Sequence, residues 1–203
     1  GQTATFTSGQ LGSETISLKD TSSGISNLII NVGSGENANF STLTANTFDS
    51  GTDTITIVGS SSGEVITGPN IAATLSGNAG NDNLTGGSAA DVINGGNNND
   101  TLDGKDGPDT LTGGSGDDIY IFNTNDVDAG ESIIETSSGG TDTISIVTTT
   151  DFTNMSDGSF DEIEIITFSG SGIDATFVSD QLNGETIDFA EVVTGTSDVI
   201  INA

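Results

Sequence analysis

The sequence predicts an all-β fold, a right-handed parallel β-solenoid that is regular in the middle and looser at both ends. Three observations predict it. From Gly77 to Tyr120 a nine-residue period runs without a slip, through GNAGNDNLT, GGSAADVIN, GGNNNDTLD, GKDGPDTLT and GGSGDDIYI. Outside that block, short β-forming segments alternate with Gly, Ser, Asn and Asp. Helical spacing is nearly missing, whereas Thr54-Ile55-Thr56-Ile57 and Thr143-Ile144-Ser145-Ile146 alternate with period two.

In chain order, strand centres are expected near Phe6, Ile16, Ile29, Leu43, Ile55 and Ile66. After the repeats they are expected near Tyr120, Ile134, Ile144, Ile165, Phe177, Ile187 and Ile200. This divides the chain into N-terminal β-rich coils at 1–58, a repeat block at 59–122 and C-terminal β-rich coils at 123–203. A β-sandwich in the flanks is the alternative to looser solenoid coils.

Each repeat unit opens on glycine (Gly77, Gly86, Gly95, Gly104, Gly113). Aspartate holds the sixth place (Asp82, Asp91, Asp100, Asp109, Asp118) and Leu84, Ile93, Leu102, Leu111 or Tyr120 the eighth. Two degenerate units extend the phase upstream, one with Glu64 and Ile66, the other with Ala73 and Leu75. The Gly/Asn/Ser/Asp part makes a turn. The last three residues make a short strand whose middle side chain points inward. One half-coil cannot bury that side chain alone, but a stack of them makes a continuous core. Two half-coils close one turn, so units two apart stack. Their aspartates then stand roughly 4.8 Å apart, the spacing of neighbouring strands. A flexible linker has no reason to keep an apolar residue in one phase.

Composition excludes several functions. The 203 residues hold 30 acids against two cations, Lys19 and Lys105, for a formal charge of −28. Phosphate recognition needs Lys and Arg, so no nucleic-acid partner is expected. An anionic membrane surface would repel the chain. No run of about 20 apolar residues exists, so no membrane insertion is expected. Cysteine is absent, so no disulfides staple the fold, and a metal can replace them. The chain begins at Gly1 rather than Met and shows no apolar signal segment, which reads as an excised or processed piece. Without His or Cys, nucleophile–histidine catalysis is excluded, and no carboxylate pair stands out as a glycosidase pair would. The chain is not expected to be an enzyme. Ice binding would need ranks of Thr or Asn, which the turn positions lack.

The unit G-G-x-G-x-D-x-U-x resembles the calcium-binding nonapeptide of the RTX (repeats-in-toxin, hemolysin-type) family. Stacked carboxylates repel unless a cation lies between them, and calcium, a hard ion with oxygen ligands, suits the gap. The resemblance implies a β-roll in which each ion takes the aspartates of units two apart together with turn carbonyls. The pairs are Asp82 with Asp100, Asp100 with Asp118, and Asp91 with Asp109, for at least three calcium ions. The implied turn ligands are Gly77, Asn78, Ala79 and Gly80; Gly86, Gly87, Ser88 and Ala89; Gly95, Gly96, Asn97 and Asn98. They continue with Gly104, Lys105, Asp106 and Gly107, then Gly113, Gly114, Ser115 and Gly116. Weaker candidates are Glu64, Asp126, Asp128, Asp142 and Asp53. Because Ala73 lacks a carboxylate, the site between its turn and Asp91 should be weak or empty. Other acids, such as Asp161, Glu162 and Glu164, read as solvent-facing charge.

Two internal likenesses bear on function. Ala4–Val32 aligns without gaps to Ala175–Ala203, 171 residues on, keeping Gln10/Gln181, Leu11/Leu182, Glu14/Glu185 and Ile16/Ile187 in phase. GTDTITIV at Gly51 matches GTDTISIV at Gly140. Tandem repetition of this kind resembles RTX adhesins and surface-layer (S-layer) proteins. The expectation is a calcium-dependent structural module of a secreted bacterial surface protein, exported by type I secretion. It would fold on calcium outside the cell and continue head-to-tail with itself. The alternative is the C-terminal RTX secretion and folding module of an unseen secreted enzyme or toxin.

Overall fold

A computed structural model describes residues 2–11, 17–18, 26–45, 53–135, 139–182, 186–191 and 197–202. The expected centre at Ile16, and Glu14, Glu185 and Gly51 of the internal likenesses, lie outside them. The strands are β1 (Gln2–Thr7), β2 (Ser17–Leu18), β3 (Ser26–Asn31), β4 (Asn37–Asn39), β5 (Thr44–Ala45), β6 (Thr54–Val58) and β7 (Val65–Thr67). Through the repeats run β8 (Thr74–Ala79), β9 (Asn83–Thr85), β10 (Val92–Asn97), β11 (Thr101–Asp103), β12 (Thr110–Ser115) and β13 (Ile119–Phe122). Beyond them lie β14 (Ser132–Ile133), β15 (Thr143–Ile146), β16 (Thr150–Asp151), β17 (Ile165–Phe168), β18 (Ala175–Val178), β19 (Asp188–Glu191) and β20 (Val199–Asn202). Among the described residues, helix is confined to short turns at Ser8–Leu11, Asp157–Ser159 and Ser179–Leu182.

Alternate strands collect into two long sheets. One runs β1-β3-β6-β8-β10-β12-β14, the other β19-β17-β15-β13-β11-β9-β7-β4. Pairing is parallel throughout, in the flanks as in the repeats, so the flanks are coils of the same solenoid and not a sandwich. Within the repeats the register is eighteen residues: Ile93 pairs with Leu75 and Leu111, and Leu102 with Leu84. Past Tyr120 the coils lengthen, so that Leu111 pairs with Ile133 and Tyr120 with Ile144.

The side chains in the eighth position form the core. Ile66, Leu75, Leu84, Ile93, Leu102, Leu111 and Tyr120 are all fully buried and belong to one cluster. Each such burial stabilises by about 1.5–3 kcal/mol, thin support for nine ordered residues. The C-terminal coils are better filled. Phe152 stacks on Phe177 at 5.0 Å and meets Phe122 and Phe160 edge-on. Buried Gln181 ties this cluster down: its amide donates to the carbonyls of Phe152 and Met155, and its Oε1 accepts from Val178 N–H.

In the flanks several expected strand centres shift by one residue. Leu28 and Ile30 point inward on either side of Ile29, Ile133 replaces Ile134, and Ile166 replaces Ile165. Runs of adjacent apolar residues fit either phase of a strand, and pairing with the neighbouring coil decides between them.

Both internal likenesses have structural counterparts. Strand β1 pairs with β3 in the register Ala4↔Leu28, and β18 pairs with β20 in the register Ala175↔Val199, the same offset. The GTDT segments lie in opposite sheets, on β6 and β15, yet their aspartates make the same contact. Asp53 Oδ1 accepts from Ser26 N–H at 2.8 Å, and Asp142 Oδ1 from Asp118 N–H at 2.9 Å.

Candidate metal centre

Each repeat aspartate sits at the end of a turn, immediately before its strand. Its Oδ1 accepts the backbone N–H of the equivalent residue one coil earlier. Along one edge the acceptors are Asp82 for Glu64 N–H, Asp100 for Asp82 and Asp118 for Asp100, at 2.7, 2.8 and 2.7 Å. Along the other edge Asp91 accepts from Ala73 and Asp109 from Asp91, at 2.8 and 2.7 Å. Two columns of carboxylates therefore run along the solenoid.

The columns extend beyond the nonapeptides. Asp142 follows Asp118, and Glu164 follows Asp142 through a 2.7 Å bond from Asp142 N–H. Glu131 follows Asp109, its Oε2 accepting at 2.8 Å. Glu164 is thus a half-buried member of a column and not the solvent-facing charge expected of it. Asp126 and Asp128 stand outside the columns. Asp126 Oδ2 accepts from the backbone and side chain of Asn123, and Asp128 Oδ2 accepts from Gly107 N–H. Both lend negative charge to the surroundings of Asp109 and Glu131.

The second carboxylate oxygen separates the positions into two kinds. On Asp82, Asp100, Asp109 and Asp118, Oδ2 is buried and accepts no hydrogen bond from the described residues. A buried, unsatisfied carboxylate oxygen is costly, and a cation removes the cost. The glycine opening each unit leaves room for it. A Cβ on Gly77, Gly95, Gly104 or Gly113 would lie 2.3 Å from Oδ2 of the aspartate in its own unit. At Asp91 and Glu64, backbone and hydroxyl donors fill the carboxylate. Asp91 Oδ2 accepts from Gly87 N–H at 2.7 Å. Glu64 is capped by Ser60 N–H, Ser60 Oγ and Gly35 N–H.

Turn conformation accounts for the exception at Asp91. The second and fourth places of four turns take positive φ: Asn78 and Gly80, Gly96 and Asn98, Lys105 and Gly107, Gly114 and Gly116. In the Gly86–Ala90 turn the fourth place is Ala89, and no residue there takes positive φ. Alanine avoids that conformation, which Gly and Asn tolerate. In this turn Gly87 N–H reaches Asp91, opposite the coil that carries Ala73. Stacked turns approach too closely for side chains here as elsewhere: a Cβ on Gly87 would lie 1.9 Å from Pro69 O, and one on Gly96 2.2 Å from Asn78 O. Lys105 holds its own αL turn position while its ammonium pairs with Asp103 at 2.6 Å.

Without a cation, the columns push their own carboxyls up. Burial, then the charges of Asp118 and Asp82, raises Asp100 to about 7. Burial raises Asp91 and Asp118 to about 6, Asp109 to about 8 and Glu131 to about 9, with neighbouring carboxylates adding to the last three. Asp82 and Asp142 are also raised, chiefly by burial. Glu64 runs the other way: burial raises it, but the donors at Ser60 and Gly35 together outweigh that and lower it.

The donor set is all oxygen, negative and arranged in pairs, which is the chemistry of a hard divalent cation. The family model of the RTX calcium-binding nonapeptide repeat matches residues 72–102 and 94–126. This stretch is an RTX calcium-binding repeat block. The RTX repeats bind calcium, and here Asp82, Asp100, Asp109 and Asp118 have the open oxygens to hold it. No curated protein and no solved structure gives a significant match to the chain. No helix among the described residues is long and apolar enough to cross a membrane.

Sequence reasoning missed Glu131, Glu135 and Glu164. For Glu131 and Glu164 the signal was present: an acid, one residue, then an inward isoleucine, as in Glu131-Ser132-Ile133 and Glu164-Ile165-Ile166.

Proposed function

We propose that the chain is a calcium-dependent, non-catalytic structural module of a secreted bacterial cell-surface protein, of the surface-layer or adhesin type. It folds when it meets calcium outside the cell. The observation that carries this reading is the pair of carboxylate columns, in which stacking the coils and burying unsatisfied acid oxygens are the same event. Where calcium is scarce, 30 acids against two cations favour an extended chain. That state suits the secretion channels used by RTX proteins, which are typically exported. At calcium levels of about 10⁻³ M, typical for extracellular modules, the columns fill and the coils stack.

The surface-protein reading draws on the shared register of β1 with β3 and β18 with β20, 171 residues apart. A parent chain built of such units would continue as a rod. Between chains, a head-to-tail contact that does not close would propagate into a filament or lattice. Far-ultraviolet circular dichroism during a calcium titration tests the folding claim: the β signal should appear with calcium and vanish with chelator. A β signal unchanged by chelator overturns it. Light scattering of the native protein tests assembly; a monomer at millimolar calcium leaves only the rod.

A further inference from the structure

We propose that Glu135 joins Asp118 and Asp142 in a further hard-cation site just beyond the last nonapeptide, with Tyr120 set against it as a positioning residue. This rests on the calcium reading above and adds a ligand that the nonapeptide pattern does not contain. One carboxylate oxygen from each of Asp118, Glu135 and Asp142 lies within 4.8 Å of the other two. Asp118 is fully buried; its Oδ1 is taken by Asp100 N–H, and its Oδ2 has no donor among the described residues. That oxygen faces the cluster. A Cβ on Gly113 would meet Asp118 Oδ2 at 2.3 Å and both Glu135 Oε1 and Tyr120 Oη at 2.6 Å. Three oxygens thus converge on space that only a glycine leaves open.

The substitution pattern within the chain points the same way. The equivalent core position is Leu84, Ile93, Leu102 or Leu111 in the other repeats, and becomes tyrosine only beside Glu135. Tyr120 is fully buried, and its hydroxyl accepts from Gly113 N–H at 2.6 Å and donates to Glu135 Oε1. It fixes the glutamate against Gly113, whose N–H also reaches Glu135 Oε1 at 3.0 Å, just past the strand that pairs with β12 in a 22-residue register. Three carboxylates this close repel unless a cation lies among them. The nonapeptide pairs offer two. Affinity of such sites rises with ligand charge, so this one binds more tightly, and trivalent ions gain most.

Terbium luminescence excited through tyrosine reads the site directly. The chain has one tyrosine and no tryptophan, so sensitised emission reports ions near Tyr120. The unaltered protein should show a tight sensitised phase that calcium displaces. Glu135→Gln, which keeps the shape and an acceptor for Tyr120, should weaken that phase by about tenfold or more, the effect of one lost charge at contact distance. Its calcium-induced circular dichroism should keep its amplitude. Superimposable terbium titrations of the two proteins overturn the site. If the variant does not fold, a lanthanide-soaked crystal of the unaltered protein decides. A heavy-atom peak at bonding distance from Glu135 supports the site, and its absence overturns it. A chain whose circular dichroism ignores calcium would instead defeat the broader calcium reading.

Discussion

Between Gly77 and Tyr120 each nine-residue unit buries one large inward side chain, and each turn buries a carboxylate. From Phe152 to Gln181 the same solenoid buries stacked phenylalanines and a fully bonded glutamine. The two regions solve one problem in opposite ways. A coil of eighteen residues encloses little volume, so the repeats lean on an ion held at the edge. The longer C-terminal coils enclose more and hold together through their contents. The difference teaches that the same parallel pairing can be backed by charge gathered at the edge of a coil or by apolar bulk enclosed within it.

Removing calcium should separate the regions most sharply. In chelator, amide hydrogen exchange should lose its protection from Gly77 to Phe122 while protection near Phe152, Phe160 and Phe177 survives longest. Uniform loss would make the two regions one cooperative unit. Next in size, Phe152→Ala should cost about 3–5 kcal/mol in denaturant unfolding at saturating calcium, as expected for truncating a buried aromatic. Its calcium midpoint should move little, and a large shift would mean that the flank sets the metal affinity.

A smaller effect compares two aspartates. Asp100 stands between Asp82 and Asp118, each with an open oxygen, whereas Asp91 stands between Ala73 and Asp109 with both oxygens bonded. Asp100→Ala should therefore raise the calcium midpoint for folding more than Asp91→Ala does. Equal midpoints would show that an open Oδ2 does not mark the sites.

The smallest effect is on pH. Folded without metal, Asp118 sits at about 6, Asp100 at about 7, Asp109 at about 8 and Glu131 at about 9, all above the ordinary carboxyl range near 4. The folded state then binds more protons than the unfolded one between about pH 4 and pH 9, so its stability falls as pH rises through that window. In chelator, acidification from about pH 9 to about pH 5 should restore part of the β signal. With calcium present, the same acidification should raise the calcium midpoint, because protons compete for the ligands. A chelated chain equally unfolded at both pH values would contradict the burial of the columns.

The repeat block was legible because every residue in it has one phase. Leu84 lies between polar neighbours and can only point inward, and the pairing of Asp82 with Asp100 follows from the eighteen-residue period. The flanks were legible as strands but not in phase, because Leu28-Ile29-Ile30 fits either face. Beyond Tyr120 the columns could not be followed by counting. The coils lengthen to 22 and 24 residues, and no local rule sets those lengths. Glu135 was hidden most completely: Thr136, Ser137 and Ser138 follow it in sequence, with no apolar residue to set a phase. The behaviour of Asp91 was half visible. Ala73 announced a missing partner, but the part played by Ala89 became apparent only with the turn angles in hand.

Because coils pair eighteen residues apart, such a chain can lengthen or shorten freely only by two nonapeptides at a time. Insertion of such a pair returns every later residue to its own sheet and its own edge. Insertion of one unit would reverse all that follows. Asp142 and Glu164 would cross to the edge now held by Asp109 and Glu131, and the strand bearing Phe168 would change sheets. The solenoid therefore carries a parity, and the tally of nine-residue units ahead of the C-terminal coils is constrained to odd or even as strictly as any single side chain is constrained in kind.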